Sequence, residues 1–473
     1  MKVASVIFAS LVLLGTGGSA IAQTTASNDA LAGAVDSAAA NLLLKQKIPG
    51  VAIAVMRAGT IVYAHAYGYA DTAKHIPMTT ESRFEIGSIT KQFTAASIVQ
   101  LARGGKLSLD DALGKYVPEY PRGKAVTIRQ LLSHTSGIPE YLDGPSAVVA
   151  AGKPGSLVAI LARIAKKPLD FTPGTKWEYS NTNYILLGSI LERTSHERYD
   201  AYIRQHIFAP AGMTESGFIS GERAIPTMAI GYETLPHGIA VGHPLQSEWA
   251  GAAGAIVSTV GDLAKWDNAL LAGTIVAPAD VRLLQTALRL PDGKSTSYGF
   301  GWVIDTIGGH PRVWHNGGTF GFSTCNMIYP SDGEVIIVLG NLAETSPETA
   351  STEIFTALHS DVAKRLDTAA VGEDPAITAR VREWIKRFAT ADIDRSQLST
   401  TMSNALTPSL VSTSSTGISA LGEPTKFVFR GKAGAAGMNV YTYLVTFEKA
   451  QLNVNMALDA EGKIAGFNFT ASN

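Results

Sequence analysis

Strand-like runs bracket a long helical middle in this chain, and that order leaves few folds open. Val51 to Met56 and Thr60 to Tyr67 are rich in β-branched and aromatic residues and are separated by Arg57-Ala58-Gly59. A second set follows at Tyr298 to Thr306, Val313 to His315, Phe322 to Tyr329 and Glu334 to Leu339, with Pro330-Ser331-Asp332-Gly333 as a turn. From about Ala125 to Gly273, helical segments alternate with Gly/Pro-rich turns such as Thr172-Pro173-Gly174. The two sets of strands are expected to complete one sheet, brought together by the termini of a single α/β domain and flanked by helices.

Helical periodicity is predicted over Ala30 to Gln46 and over Ile89 to Ala102, where Phe93, Ala96, Ile98, Val99 and Leu101 recur at helical spacing before Gly104-Gly105. A last helix, Thr352 to Leu366, leads into a polar stretch, Asp367 to Pro375, read as a linker. The domain before it covers residues 23–366. Residues 376–473 are read as a small α+β unit with one helix, Ile377 to Thr390, and four strands: Thr425 to Arg430, Val440 to Phe447, Gln451 to Leu458 and Lys463 to Phe469.

Composition narrows the function. With 39 basic and 40 acidic residues among 473, there is no electrostatic footprint for nucleic acid, so a small molecule or peptide is the expected partner. Oligomeric state is left open. Met1-Lys2, the apolar Val3 to Leu14, and Ser19-Ala20-Ile21-Ala22 read as a signal peptide over residues 1–22 with cleavage before Gln23, which places the mature chain in the periplasm or outside the cell. That run is too short to span a membrane comfortably, and no other long apolar run follows. Cys325 is the sole cysteine and sits in a β-like apolar run, so it forms no internal disulfide and reads as a small buried hydrophobe.

Three short segments carry chemistry. Ser88 and Lys91 form the one Ser-x-x-Lys of the sequence, at the start of a helix, where residues three apart share a face and free N–H groups favour an oxyanion. A serine hydroxyl needs such a proton acceptor within reach to become a nucleophile. Tyr179-Ser180-Asn181 is the one Tyr-x-Asn; a nearby cation such as Lys91 would lower the phenol's pKa, and Asn181 can both donate and accept. His315-Asn316-Gly317-Gly318 is the one His-x-Gly, its glycines allowing backbone to approach a substrate. Taken singly, each has an ordinary structural explanation: a chance match, a helix cap with a buried Tyr, a Gly-rich hairpin.

Together, and in this order, the segments resemble the penicillin-recognising serine hydrolases: class C β-lactamases, D-alanyl-D-alanine peptidases and related esterases and aminopeptidases. Supporting segments are Leu131 to Gly137, Thr172-Pro173-Gly174, Gly254 to Trp266, Tyr298 to Trp302 and Gly321-Phe322. The resemblance implies a β-lactamase/transpeptidase-like fold, an antiparallel sheet flanked by helices beside an all-helical part that holds the Tyr-x-Asn loop. It implies Ser88 as acylated nucleophile, Lys91 as its activator and Tyr179 as proton shuttle. Asn181 would hold the substrate's acyl side, and the N–H groups of Ser88 and Gly318 would form the oxyanion hole. His134 would be structural rather than a base, and neither cofactor nor metal is implied.

His315 stands where most β-lactamases of this group carry Lys. A partly charged imidazole there is expected to contact the substrate's polar end, to make turnover sensitive to pH between about 5 and 8, and to favour peptides or esters over β-lactams. The tail resembles NTF2-like cone folds, with packing or a lid as its expected role. Two other readings remain at this point: a silent penicillin-binding-like recognition protein, and a true class C β-lactamase.

Overall fold

The computed structural model describes residues 18–142, 156–219, 227–235, 237–243, 247–435 and 438–471. The expected signal segment falls outside them as far as residue 17. The chain divides into two compact units, residues 1–358 and 359–473.

In the first unit, strands β1 (Gly50–Arg57), β2 (Thr60–Asp71), β3 (Ile76–Pro77), β4 (Val303–Ile307), β5 (His310–Gly318), β6 (Ser323–Tyr329) and β7 (Glu334–Gly340) form an antiparallel sheet in the order β3-β2-β1-β7-β6-β5-β4. The two sets of strands meet where β1 pairs with β7, from Val51 opposite Gly340 to Arg57 opposite Glu334. Gly50 N–H also donates to Asn341 Oδ1, 291 positions away. All seven residues of β6 and of β7 are buried, so the middle of the sheet is covered on both faces, as continuous apolar strands require. Cys325 is fully buried there on β6. Ala58 and Gly59, at φ 47° and 79°, supply the left-handed pair that a tight two-residue hairpin needs between β1 and β2.

Helices α1 (Gly18–Ala40), α2 (Thr90–Arg103), α3 (Asn181–Ser195), α4 (Val260–Leu271) and α5 (Pro347–Leu358) surround the sheet and build the helical part. Helix α5 packs on β6, β7 and α1, whereas α4 packs on β1 and β7. Helix α2 has eleven buried residues and touches α3, so it is a core helix rather than a surface one. Its burial explains why its apolar periodicity is diluted by buried Thr90, Gln92, Thr94 and Ser97.

Two expectations shift. Tyr298 to Trp302 is not strand: Gly301 sits at φ 81°, and a Cβ there would lie 2.7 Å from the Lys91 carbonyl oxygen, so the segment turns against α2 before β4 begins at Val303. The helix expected over Thr352 to Leu366 breaks at His359 (φ −117°, ψ 90°), and the unit boundary falls at that break. Helix α6 (Ser360–Asp367) therefore belongs to the second unit. The stretch read as a linker is tied down there, by Lys426 to Asp367 at 2.7 Å and Ala370 N–H to the Phe429 carbonyl at 2.7 Å.

The second unit adds helices α7 (Pro375–Thr390) and α8 (Pro408–Ala420) to a meander of β8 (Pro424–Ala435), β9 (Met438–Phe447), β10 (Gln451–Leu458) and β11 (Ile464–Ala471). Trp384 and Phe388 of α7 pack into its own core with Tyr443, Val445, Val454, Met456 and Phe467. The α+β composition is as read, but α8 was not foreseen: its Ser/Thr-rich sequence has weak helix propensity. Thr407 capping Leu410 N–H and the burial of Val411 and Ile418 hold it.

Candidate active site

Ser88 is presented by a single tight turn. Strand Phe84–Glu85 pairs with Ile256–Ser258, then Gly87 at φ 52° swings the backbone into the 3-10 turn Gly87–Ile89, which runs directly into α2. Only glycine fits at this bend, since a Cβ would stand 2.7 Å from Gly318 N. Lys91 lies one turn further and is fully buried.

The Lys91 amine has three close partners. Its Nζ lies 2.9 Å from Ser88 Oγ, 2.8 Å from Asn181 Oδ1 and 2.9 Å from the Ala253 carbonyl oxygen. Burial disfavours its ammonium form and lowers its pKa to about 7, with the Glu140 charge opposing in part. The amine is thus poised to change protonation near neutrality.

On the other side of Ser88, the Tyr179 hydroxyl donates to Oγ at 2.8 Å. The phenol was expected to be acidified by Lys91. The opposite holds: burial pushes its pKa up, outweighing the opposing Ser88 hydrogen bond, because a depressed lysine offers little charge to stabilise a phenolate. The loop carrying Tyr179 is fixed by His134, itself fully buried at φ 57°. Ser180 N–H donates to His134 Nδ1 at 3.2 Å, the His134 carbonyl accepts from Glu178 N–H at 3.0 Å, and the His134 and Tyr179 rings are 4.3 Å apart. His134 therefore acts on the Tyr179 loop, and none of its hydrogen bonds goes to Ser88.

Asn181 opens α3, and its amide bridges two groups: Oδ1 accepts from Lys91, while Nδ2 donates to Glu140 Oε2 at 3.2 Å. One Nδ2 hydrogen is left for a substrate. Beside this bridge a cavity of about 360 Å³ is lined by Ile138, Glu140, Lys167, Phe171, Glu178 and Tyr179.

Strand β5 brings the third segment. A Cβ at Gly317 would collide with the Ile86 carbonyl oxygen, so the strand end lies flush against the Ser88 turn, and Thr324 Oγ1 donates to that same carbonyl at 3.0 Å. Gly318 is exposed beside it. His315 does not behave as expected. It is only 2% exposed, and both ring nitrogens are engaged within the chain. Nδ1 donates to the Asn316 carbonyl at 2.6 Å, which leaves Nε2 as acceptor for the Tyr298 hydroxyl at 2.9 Å. Burial first, and Lys91 second, lower its pKa to about 3. The partly charged, substrate-facing imidazole is thus replaced by a neutral one that braces Tyr298 behind Tyr179.

Three contributors escaped the sequence. Glu140 and Ala253 belong to no catalytic motif, and the Ala253 carbonyl has no side-chain signal at all. Tyr298 lay inside a recognised segment, Tyr298 to Trp302, but only the fold shows it reaching His315. Among the described residues, no group of three His, Cys, Asp or Glu is placed to hold a metal ion.

Comparison with known proteins places the chain in a family. The chain is 33% identical over 316 residues to penicillin-binding protein 4* of Bacillus subtilis, covering 63% of this chain and 69% of the relative. The crystal structure of a penicillin-binding protein from Bacillus halodurans superposes with a TM-score of 0.58 at 26% identity, covering 68% of this chain and 98% of that one. A D-stereospecific amidohydrolase from a Streptomyces species gives 0.58 and 26%, covering 70% and 97%. The sequence profile of the β-lactamase family matches residues 29–360, most of the first unit, and with these neighbours it makes the chain a serine hydrolase belonging to that family.

Proposed function

We propose that this chain is an exported serine hydrolase that works through an acyl-enzyme on Ser88, with Lys91 as base and Tyr179 as proton donor to the leaving group. The reading rests on one observation, the partner set of the Lys91 amine. A neutral amine has two hydrogens and one lone pair. Asn181 Oδ1 and the Ala253 carbonyl can only accept, so they take the two hydrogens, and Ser88 Oγ is the one partner able to donate to the lone pair.

In this mechanism Lys91 Nζ takes the Ser88 proton as Oγ attacks the substrate carbonyl, and the N–H groups of Ser88 and Gly318 stabilise the oxyanion. Collapse of the tetrahedral intermediate breaks the bond to the leaving group, which takes a proton from Tyr179. The Lys91 ammonium then reprotonates the phenolate, the two groups lying on either side of Ser88 Oγ at 2.9 and 2.8 Å. Water then attacks the ester with the same groups acting in reverse, restoring Ser88.

The favoured substrates are small amides or esters, with D-amino-acid peptides and short esters foremost. Buried neutral His315 supplies no cation for a carboxylate, which removes the anchor that a β-lactam carboxylate would need and leaves β-lactams as poor substrates or inhibitors. The named activity of the Streptomyces neighbour, a D-stereospecific amidohydrolase, supports this direction. Export is proposed from the apolar segment before Gln23.

The test has two parts. Treatment with a fluorophosphonate followed by intact mass and peptide mapping is expected to place one adduct on Ser88, and an adduct elsewhere would refute the nucleophile. Rates on a D-amino-acid anilide, a short nitrophenyl ester, a D-Ala-D-Ala peptide and nitrocefin should rank nitrocefin last. Nitrocefin turning over fastest would overturn the substrate class.

A further inference from the structure

We infer that Glu140 is a positioning residue for the Lys91 amine: it fixes the Asn181 amide with its oxygen towards Nζ, and its own negative charge stands one amide away from that nitrogen. The inference rests on the reading of Lys91 as base.

An amide side chain can turn over, exchanging its oxygen for its NH₂ group. Were Asn181 to do so, Lys91 would face a donor, lose an acceptor and be free to rotate away from Ser88. A carboxylate prevents this because it accepts only. Glu140 Oε2 accepts from Asn181 Nδ2 at 3.2 Å and from Asn181 backbone N–H at 2.6 Å, while Oε1 accepts from Leu142 N–H at 2.9 Å. The three donors pin the carboxylate, and the carboxylate pins the amide. The backbone around Glu140 is itself stitched to α3, since Thr182 Oγ1 donates to the Pro139 carbonyl at 2.7 Å and accepts from Tyr141 N–H at 3.0 Å.

The same carboxylate acts on the charge of Lys91. The other titratable groups facing the amine are Tyr179 from its loop, Tyr184 from α3, His134 from the Leu131–Gly137 loop and His315 from β5. Burial holds both phenols protonated and both imidazoles neutral. Glu140 is the one anionic group raising the Lys91 pKa, against the burial that lowers it. Glu140 therefore sets both the direction of the lone pair and the pH at which it becomes available.

The rate of Ser88 phosphonylation by a fluorophosphonate, followed by intact mass from pH 5 to 9, separates these effects. The unmodified protein should show an acid limb with a midpoint near 7. Glu140→Gln should move the midpoint down by roughly 1 pH unit, through loss of the nearby charge. Its plateau should fall roughly tenfold or more, through misdirection of the amine. Glu140→Asp keeps the charge on a shorter arm and should lower the plateau with the midpoint unmoved; a wild-type plateau in this variant would overturn the positioning role. A purely structural residue would lower the plateau of Glu140→Gln and leave its midpoint in place, and that result overturns the proposal. Should Glu140→Gln show no cooperative melt, Glu140→Asp decides. An unmodified protein with no acid limb near 7 would instead overturn Lys91 as base, a failure distinguishable from the first.

Discussion

Helix α2 separates two buried polar clusters that treat their ionisable groups in opposite ways. On one side, Lys91 has a partner for every hydrogen and for its lone pair, and it titrates near neutrality beside a partly exposed Ser88. On the other, Gln92 Oε1 accepts from Trp266 Nε1 at 3.1 Å and from Asn326 Nδ2 at 3.2 Å, and Asn326 Nδ2 also donates to Asp267 Oδ1 at 2.9 Å. Gln92 Nε2, Asn326 Oδ1 and Asp267 Oδ2 have no protein partner, and all three residues are fully buried. Burial raises the Asp267 pKa to about 8, so this acid keeps its proton at neutral pH. Burial alone thus does not mark a working group. The Lys91 side differs in that every hydrogen and the lone pair of the amine has a partner, and one of those partners, Ser88, is partly exposed.

The contrast can be broken most severely at Ser88, the proposed nucleophile. Ser88→Ala should cut hydrolysis roughly 10⁴-fold or more and abolish the phosphonate adduct while leaving the melting temperature close to wild type; residual labelling would mean that another group reacts. Lys91→Met should cost about 10²- to 10⁴-fold in kcat/KM. Asp267→Asn, in the Gln92 cluster, should change kcat/KM by no more than about twofold, because an amide mimics the protonated acid. A large loss in Asp267→Asn would erase the distinction between the two sides.

Stability sharpens the comparison further. The Asp267 pKa is raised in the folded state, so the protein is expected to be most stable below about pH 4 with respect to this group. That contribution is lost as pH climbs towards 8. Urea melts of Asp267→Asn should remove this slope, so that the variant gains on wild type steadily as pH rises from about 4 towards 8. Parallel wild-type and variant slopes would show that Asp267 titrates as an ordinary carboxyl. A last test is His315→Gln. Its rate should fall by roughly tenfold as Tyr298 loses its acceptor, with the acid limb still near pH 7, and a moved limb would return the titration to the imidazole.

Much of this arrangement was legible because local signals and tertiary demands coincide. The Ser88-to-Lys91 turn and the β1–β2 hairpin at Ala58-Gly59 are each written in adjacent residues. That the two sets of strands share one sheet followed from their order along the chain, but which strands meet, β1 with β7, came only from the fold. What escaped depended on contacts between distant segments. His315 carries an imidazole whatever surrounds it, and only burial against Tyr298 makes it neutral. Glu140 follows the Leu131–Gly137 segment as an ordinary loop acid until the fold brings Asn181 to it. Helix α8 is stabilised by its cap and by two buried side chains, terms that propensity does not see.

The bond between Gly50 and Asn341 spans 291 positions, and it joins the first strand of the sheet to the residue just after the last. During synthesis β1 must wait for nearly the whole unit before its neighbour exists, and such non-local closure makes assembly slow. The Ser88 turn waits as well, since it leans on Gly317 and Gly318 of β5. On the proposed mechanism, a nascent or clipped chain ending before that strand would carry its serine and lysine in full and yet lack the Gly318 N–H and the surface that holds the Ser88 turn in place.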